Sequence, residues 1–171
     1  MSRNEFNKGL LIFLTVMFLM VLQTCAQNFF KINFIVPDLL FAFAVSFACT
    51  QEKWQTVLLT AALCAIFSDF VCHSHFLGYM AVYTYSALGA YFLKNLFIKP
   101  NIFFLSVIAL LLFICAKTVM YPSFYLAARV GFADYFLNDT LPVSLYNTVC
   151  FFVFTLVLNS IKKRGAKRDA G

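Results

Sequence analysis

Long apolar runs, each ended by a short polar cluster, succeed one another along the whole of this 171-residue chain. They cover residues 9–26, 37–50, 54–72, 76–93, 102–120 and 141–161. A bilayer hydrocarbon core of about 30 Å takes roughly 20 apolar residues per helix, so six runs fit only with short connections. With 63% hydrophobic residues, 12% charged and a mean hydropathy of +0.85, the chain lies far from the balance of a water-soluble domain. The sequence therefore predicts an all-α integral membrane protein, a six-helix transmembrane bundle forming one domain over residues 1–171. No Pro-, Gly- or Ser-rich linker sets off a separate module. Function must then reside in or beside the bilayer.

The 23 phenylalanines fit this picture, since lipid does not penalise bulky apolar side chains on outward faces. A net charge of +6 would suggest nucleic acid for a soluble protein. Here the cations sit at span ends, which makes them a topology device, and no nucleic-acid partner is expected. With the first end inside, ten of the 13 Lys and Arg residues fall on the cytoplasmic side, leaving Lys31, Lys117 and Arg129 outside. An even number of spans places both termini in the cytoplasm and His73, His75 and Asp134 on the outer side. The expected location is a plasma membrane, crossed several times. Six single cysteines without a CxxC pair read as small buried hydrophobes, except Cys72, which falls near a span end next to two histidines.

The first run follows Arg3 and Lys8, like the start of a secretory signal, yet Gln23 and Thr24 replace the small residues a processing site before Cys25 requires. It is expected to stay as an uncleaved helix. Pro37 and Asp38 open the second run: proline suits a first helical turn, and Asp38 suits either a helix cap or a partner contact. Asp69 lies near the end of the third run, one turn before His73, within reach of that histidine or of a polar group on a neighbouring helix. Lys117 is placed to extend its amine to the interface. Asp69, Cys72, His73 and His75 offer metal-ligating atoms, but no second cluster completes a site, so neither metal nor cofactor is expected. No nucleophile elbow, HExxH, phosphate-binding glycine loop or close carboxylate pair is present, and the polar groups within spans look isolated. An enzyme is not expected.

Small residues let membrane helices approach closely. Ala42, Ser46 and Thr50 share a face of the second run, Ala61, Ala65 and Ser68 one of the third, and Gly78, Ser86 and Ala90 one of the fourth, so runs two to four should form the tight centre. The first run has no such face and is left for lipid or a partner helix. Between runs five and six, Phe124, Ala128, Phe132 and Tyr135 recur at helical spacing and predict a short interfacial helix.

Five stretches together resemble the bacterial rod shape-determining protein family MreD. Pro37-Asp38-Leu39-Leu40 is similar to the motif opening that family's second helix, and Phe67-Ser68-Asp69-Phe70 to the acid-bearing end of its third. Leu77-Gly78-Tyr79-Met80 and Leu88-Gly89-Ala90-Tyr91 resemble its fourth helix, and Leu141-Pro142-Val143-Ser144-Leu145-Tyr146-Asn147 the start of its last. Cys72-His73-Ser74-His75 departs from the small, Gly-containing turn common there. The resemblance implies a non-enzymatic membrane scaffold of the cell-elongation machinery, the elongasome. Such a scaffold associates with MreC and through it with MreB, RodA and the elongation transpeptidase of peptidoglycan synthesis in the cell wall. Pro37, Asp38, Asp69, Gly78, Pro142 and Asn147 become candidate structural or partner positions. The family's fold also resembles the substrate-binding subunits of energy-coupling-factor vitamin transporters, so the alternative is a small-molecule carrier subunit. Those subunits carry a small-xxx-small motif on their first helix that Leu10 to Leu22 lacks, and a vitamin pocket needs convergent polar groups.

Overall fold

The computed structural model describes the backbone of residues 3–29, 35–72, 76–97, 100–124 and 131–168, and the side chains of 9–25, 35–70, 78–97, 100–120 and 131–163. The fold is all-helical. In chain order the elements are α1 (Arg3–Phe29), α2 (Leu39–Thr50), α3 (Trp54–Cys72), α4 (Phe76–Leu96), α5 (Ile102–Phe124), α6 (Phe132–Tyr135), a π-helical turn (Phe136–Thr140) and α7 (Leu141–Arg168).

Of the six helices formed by the long runs, α2 is the shortest, and among the described residues it is also the most enclosed. Every residue from Leu40 to Cys49 is buried. At about 1.5 Å per residue its 12 residues rise roughly 18 Å, well short of a hydrocarbon core of about 30 Å. It packs against α1, α3, α4 and α7, while α3 lies on α4, and α5 on α4 and α7. The expected centre of runs two to four is thus extended by α7, which covers the remaining side of α2.

Aromatic rings from three neighbours lock α2 in place. Phe41 stacks on Tyr83 of α4 at 4.6 Å and meets Phe113 of α5 edge-on at 5.0 Å, and Phe43 meets the Phe154 edge of α7 at 5.8 Å. Each such pair adds about 0.5 to 1.5 kcal/mol beyond its buried area. The small residues work as expected on α2 and α3: Ala42, Ser46, Ala61, Ala65 and Ser68 are all buried. Ser46 faces α7, where its hydroxyl lies 2.8 Å from that of Thr155. Gly78 corrects the expectation for α4. It is exposed, a Cβ there would meet nothing within 4 Å, and the close contact is made instead by Ser86, Ala87 and Ala90.

The surface carries the opposite chemistry. Leu11, Leu14 and Phe18 of α1, Phe103, Val107 and Leu111 of α5, and Leu145, Val149 and Val153 of α7 are exposed. Contiguous apolar stripes of this kind are a liability in water and cost nothing against lipid. Among the described residues two helical stretches, Ile102–Met120 and Phe132–Lys163, are long and apolar enough to cross a membrane, and Gly9–Cys25, Leu39–Thr50 and Trp54–Phe70 are shorter apolar stretches. Among the cysteines, Cys49 and Cys64 are buried as expected, but Cys25 and Cys115 are exposed on the outward stripes, and the side chain of Cys72 lies outside the described residues.

The expected interfacial helix between α5 and α7 lies in part outside the described residues, and its two ends belong to other elements. Phe124 ends α5, residues 125–130 lie outside the described residues, and Phe132 begins a helical stretch that runs on into α7. Tyr135 is buried, and its hydroxyl donates to the Lys117 carbonyl at 2.9 Å, fixing this stretch to α5. Pro142 explains the π turn. A proline one turn into a continuing helix has no N–H and crowds the carbonyl four residues back. The preceding turn widens, and the Leu141 N–H bonds Phe136 O, five residues back.

At the end of the bundle where α2 joins α3, the connecting loop is clamped from both sides. The Tyr91 hydroxyl donates to Glu52 O at 2.8 Å, the Lys94 amine donates to Gln51 O, and Lys162 bonds Glu52 Oε1 at 2.6 Å. The Lys162 bond holds the Glu52 carboxyl below the usual glutamate range.

Candidate functional site

A helix that starts inside apolar surroundings leaves four N–H groups without acceptors, and lipid cannot supply them. The first turn of α2 meets this problem with side chains from three helices. Asp38 is the N-cap: its Oδ1 accepts from the Phe41 N–H at 3.0 Å. The Asp38 N–H donates to Asn147 Oδ1 of α7 at 2.7 Å, and the Leu39 N–H donates to Gln23 Oε1 of α1 at 2.7 Å. The Gln23 amide turns back on the same segment, donating from Nε2 to Pro37 O at 2.9 Å. Three of the four donors are thereby satisfied within the protein.

The second carboxylate oxygen of Asp38 links the cap to two further helices. Tyr83 of α4 donates its phenol proton to Asp38 Oδ2 at 2.6 Å, a length typical of a charge-assisted O–H···O bond. Ser68 Oγ of α3 lies 3.0 Å from the phenol oxygen. Since the phenol has one proton and gives it to Asp38, the serine hydroxyl donates in that pair. Gln23, Asp38, Ser68, Tyr83 and Asn147 thus connect α1, α2, α3, α4 and α7 through one hydrogen-bonded cluster. Gln23, Ser68, Tyr83 and Asn147 are all buried.

Asp38 therefore acts as the helix cap that its position suited, and its second carboxylate oxygen is taken up within the bundle by Tyr83. Pro37 is corrected by one turn position: it precedes the cap instead of entering the helix, and it contributes its carbonyl. Asn147 is fully buried in the cluster, and its Nδ2 has no acceptor among the described residues. Asp69 is buried on α3, but neither carboxylate oxygen has a hydrogen-bond partner among the described residues; His73 and His75, and with them the pairing and metal arrangement considered above, lie outside those residues. Gly78 and Pro142 take no part in the cluster. Lys117 does not stand alone: its amine lies 3.8 Å from Asp139 Oδ2 at the start of the α7 stretch. Asp134 is exposed.

The expectation that intramembrane polar groups are isolated does not hold. Five polar side chains from five helices meet at one place. Their bonds are nevertheless directed to one another and to the backbone of α2, which makes the cluster a clamp on a helix end. Two of its members had been passed over. Gln23 counted only as a poor processing-site residue, although an amide on the inward face of an otherwise apolar helix is a signal for interhelical bonding. Tyr83 is one of several tyrosines on α4 and carries no local mark that separates it from Tyr79 or Tyr85.

No known protein family, curated protein or solved structure matches this chain.

Proposed function

We propose that this chain is a six-span membrane scaffold of the bacterial cell-elongation machinery, similar to the MreD family and acting without catalysis. One observation carries the reading. The motifs on which the resemblance rests are spread over more than a hundred positions, yet Pro37, Asp38, Ser68 and Asn147, one or more from each of three motifs, meet in a single cluster. A pattern of residues that closes into one structural unit is a stronger basis for resemblance than short apolar words taken singly. The unit holds the helix end of α2 rigidly and leaves broad apolar faces on α1, α5 and α7, as a scaffold between lipid and partner helices requires.

In this reading the partner is an MreC-type protein, through which the scaffold meets MreB, RodA and the elongation transpeptidase. Loss of the chain is expected to round or swell rod-shaped cells, and purification in mild detergent is expected to recover the MreC-type protein. Normal rods after deletion, with no such protein recovered, would remove the proposal. The orientation follows the cation distribution, with both termini cytoplasmic. An impermeant thiol reagent should therefore leave a Lys167→Cys variant unlabelled in intact cells and label it after permeabilisation. Labelling in intact cells would reverse the topology.

The carrier alternative has one observation in its favour. Asp69, Thr140, Ser144 and Asn147 each hold a buried polar atom without a hydrogen-bond partner among the described residues, and unpartnered buried polar groups are costly unless something meets them. Stoichiometric recovery of a small polar molecule with the purified protein, and no MreC-type partner, would favour that reading.

A further inference from the structure

Next to the clamped loop between α2 and α3, a groove of about 380 Å³ opens between the ends of α4, α5 and α7. Its polar lining includes Lys94, Asn95, Asn159 and Lys162 together with Glu52. The Glu52 carboxylate is already matched by Lys162 at 2.6 Å. Lys94 is different. Its amine is held by the Gln51 carbonyl and sits 5.1 Å from the centre of the Tyr91 ring, so the cation is fixed in position; Glu52 acts on it only at longer range, and among the described residues no carboxylate forms an ion pair with it. Among the described residues the groove thus presents one positive charge in excess, Lys94 and Lys162 against Glu52, flanked by two side-chain amides that can donate to oxygen.

The rim beside this polar floor is apolar. Phe97 lines the groove, is 45% exposed and packs edge-on against the 40% exposed Phe104 at 4.6 Å, and Leu96 is 74% exposed. A fixed cation with amide donors suits a phosphate; a neighbouring bare aromatic and aliphatic rim suits hydrocarbon. We propose that this groove binds the phosphate of an anionic phospholipid headgroup, with Lys94 as the principal cation and the acyl chains lying along Phe97 and Phe104. Basic pockets between helix ends at a cytoplasmic surface take headgroups of this kind. The inference rests on the membrane reading above and on the cytoplasmic placement of this end, but not on any partner.

The test reconstitutes the protein in phosphatidylcholine vesicles containing a minority of phosphatidylglycerol, extracts it gently and measures the two lipids retained by mass spectrometry. Phosphatidylglycerol should be enriched over its bulk share. Lys94→Gln, which removes the charge, and Asn159→Asp, which adds a negative charge without touching the loop clamp, should each lower that enrichment about fivefold, the equivalent of about 1 kcal/mol per charge near an anionic surface. Lys163→Gln alters net charge equally outside the groove and should leave the enrichment unchanged. Equal loss in this control, or no enrichment in an inserted protein, overturns the inference while leaving the scaffold reading intact. A protein that carbonate strips from the vesicles overturns both. Inorganic phosphate separates the two sources of the anion: the lipid reading expects it not to displace phosphatidylglycerol, and displacement would assign the groove to a free phosphate ion.

Discussion

Replacing Asp38 by alanine lowers the stability of the bundle by about 2 to 4 kcal/mol, because one change removes an N-cap and the carboxylate acceptor of a buried phenol. The cap on Phe41 N–H accounts for about 0.5 to 2 kcal/mol of this. Losing the 2.6 Å bond from the Tyr83 hydroxyl to Asp38 Oδ2 accounts for about 1 to 2 kcal/mol, since the phenol can turn its proton to Ser68 Oγ at 3.0 Å. Asp38→Asn separates the two effects. Its side-chain oxygen can still cap the helix, so the loss should be the smaller part, confined to the bond with Tyr83. Reversible unfolding in mixed micelles, followed by helix content, measures both variants. Equal stability of Asp38→Ala and the parent would mean that the cap is not formed as described.

Gln23→Leu should be nearly as damaging although the side chain keeps its approximate size. The substitution strips the Leu39 N–H of its acceptor and the Pro37 carbonyl of its donor in one step. Two buried backbone groups at about 1 to 3 kcal/mol each give a loss of roughly 2 to 5 kcal/mol once partial relaxation is allowed. Gln23→Glu measured at acid pH offers a sharper comparison, since a protonated carboxyl keeps an acceptor for Leu39 and replaces the amide donor to Pro37 by a shorter-reaching hydroxyl. The same unfolding measurement should place it between the parent and Gln23→Leu. If Gln23→Leu were neutral or stabilising, α1 would not be engaging the start of α2, and the five-helix cluster would shrink to four.

Much of this architecture was legible in the chain because lipid as solvent imposes strong rules. Apolar runs ended by polar clusters marked α1 to α5 and α7 closely, and Asp38 after Pro37 marked the start of α2 to within a residue or two. The differences arise where a neighbour decides the outcome. The 12-residue α2 looks like a short span in sequence, and only the helices packed around it show that it is an enclosed central element. The aromatic repeat ending in Tyr135 looked like a surface helix because helical spacing does not reveal which side is covered. In the fold Tyr135 turns inward to the Lys117 carbonyl. Gly78 has the composition of a packing residue, but the face of α4 that meets its neighbours is set by Ser86, Ala87 and Ala90. The cluster itself needs contacts between residues as far apart as Asp38 and Asn147. Local pattern can nominate each of these residues but cannot pair them.

The central claim is that α2 is the enclosed core of a bundle whose outer faces meet lipid, and a photoactivatable, lipid-soluble carbene reagent tests it most directly. After illumination of the membrane-embedded protein, mass spectrometry of its peptides locates the adducts. The account predicts adducts on the exposed stripes, at positions such as Leu11, Phe18, Phe103, Leu111 and Val149, and none from Leu40 to Cys49. Adducts throughout Leu40 to Cys49, or their absence from the α1, α5 and α7 stripes, would contradict it.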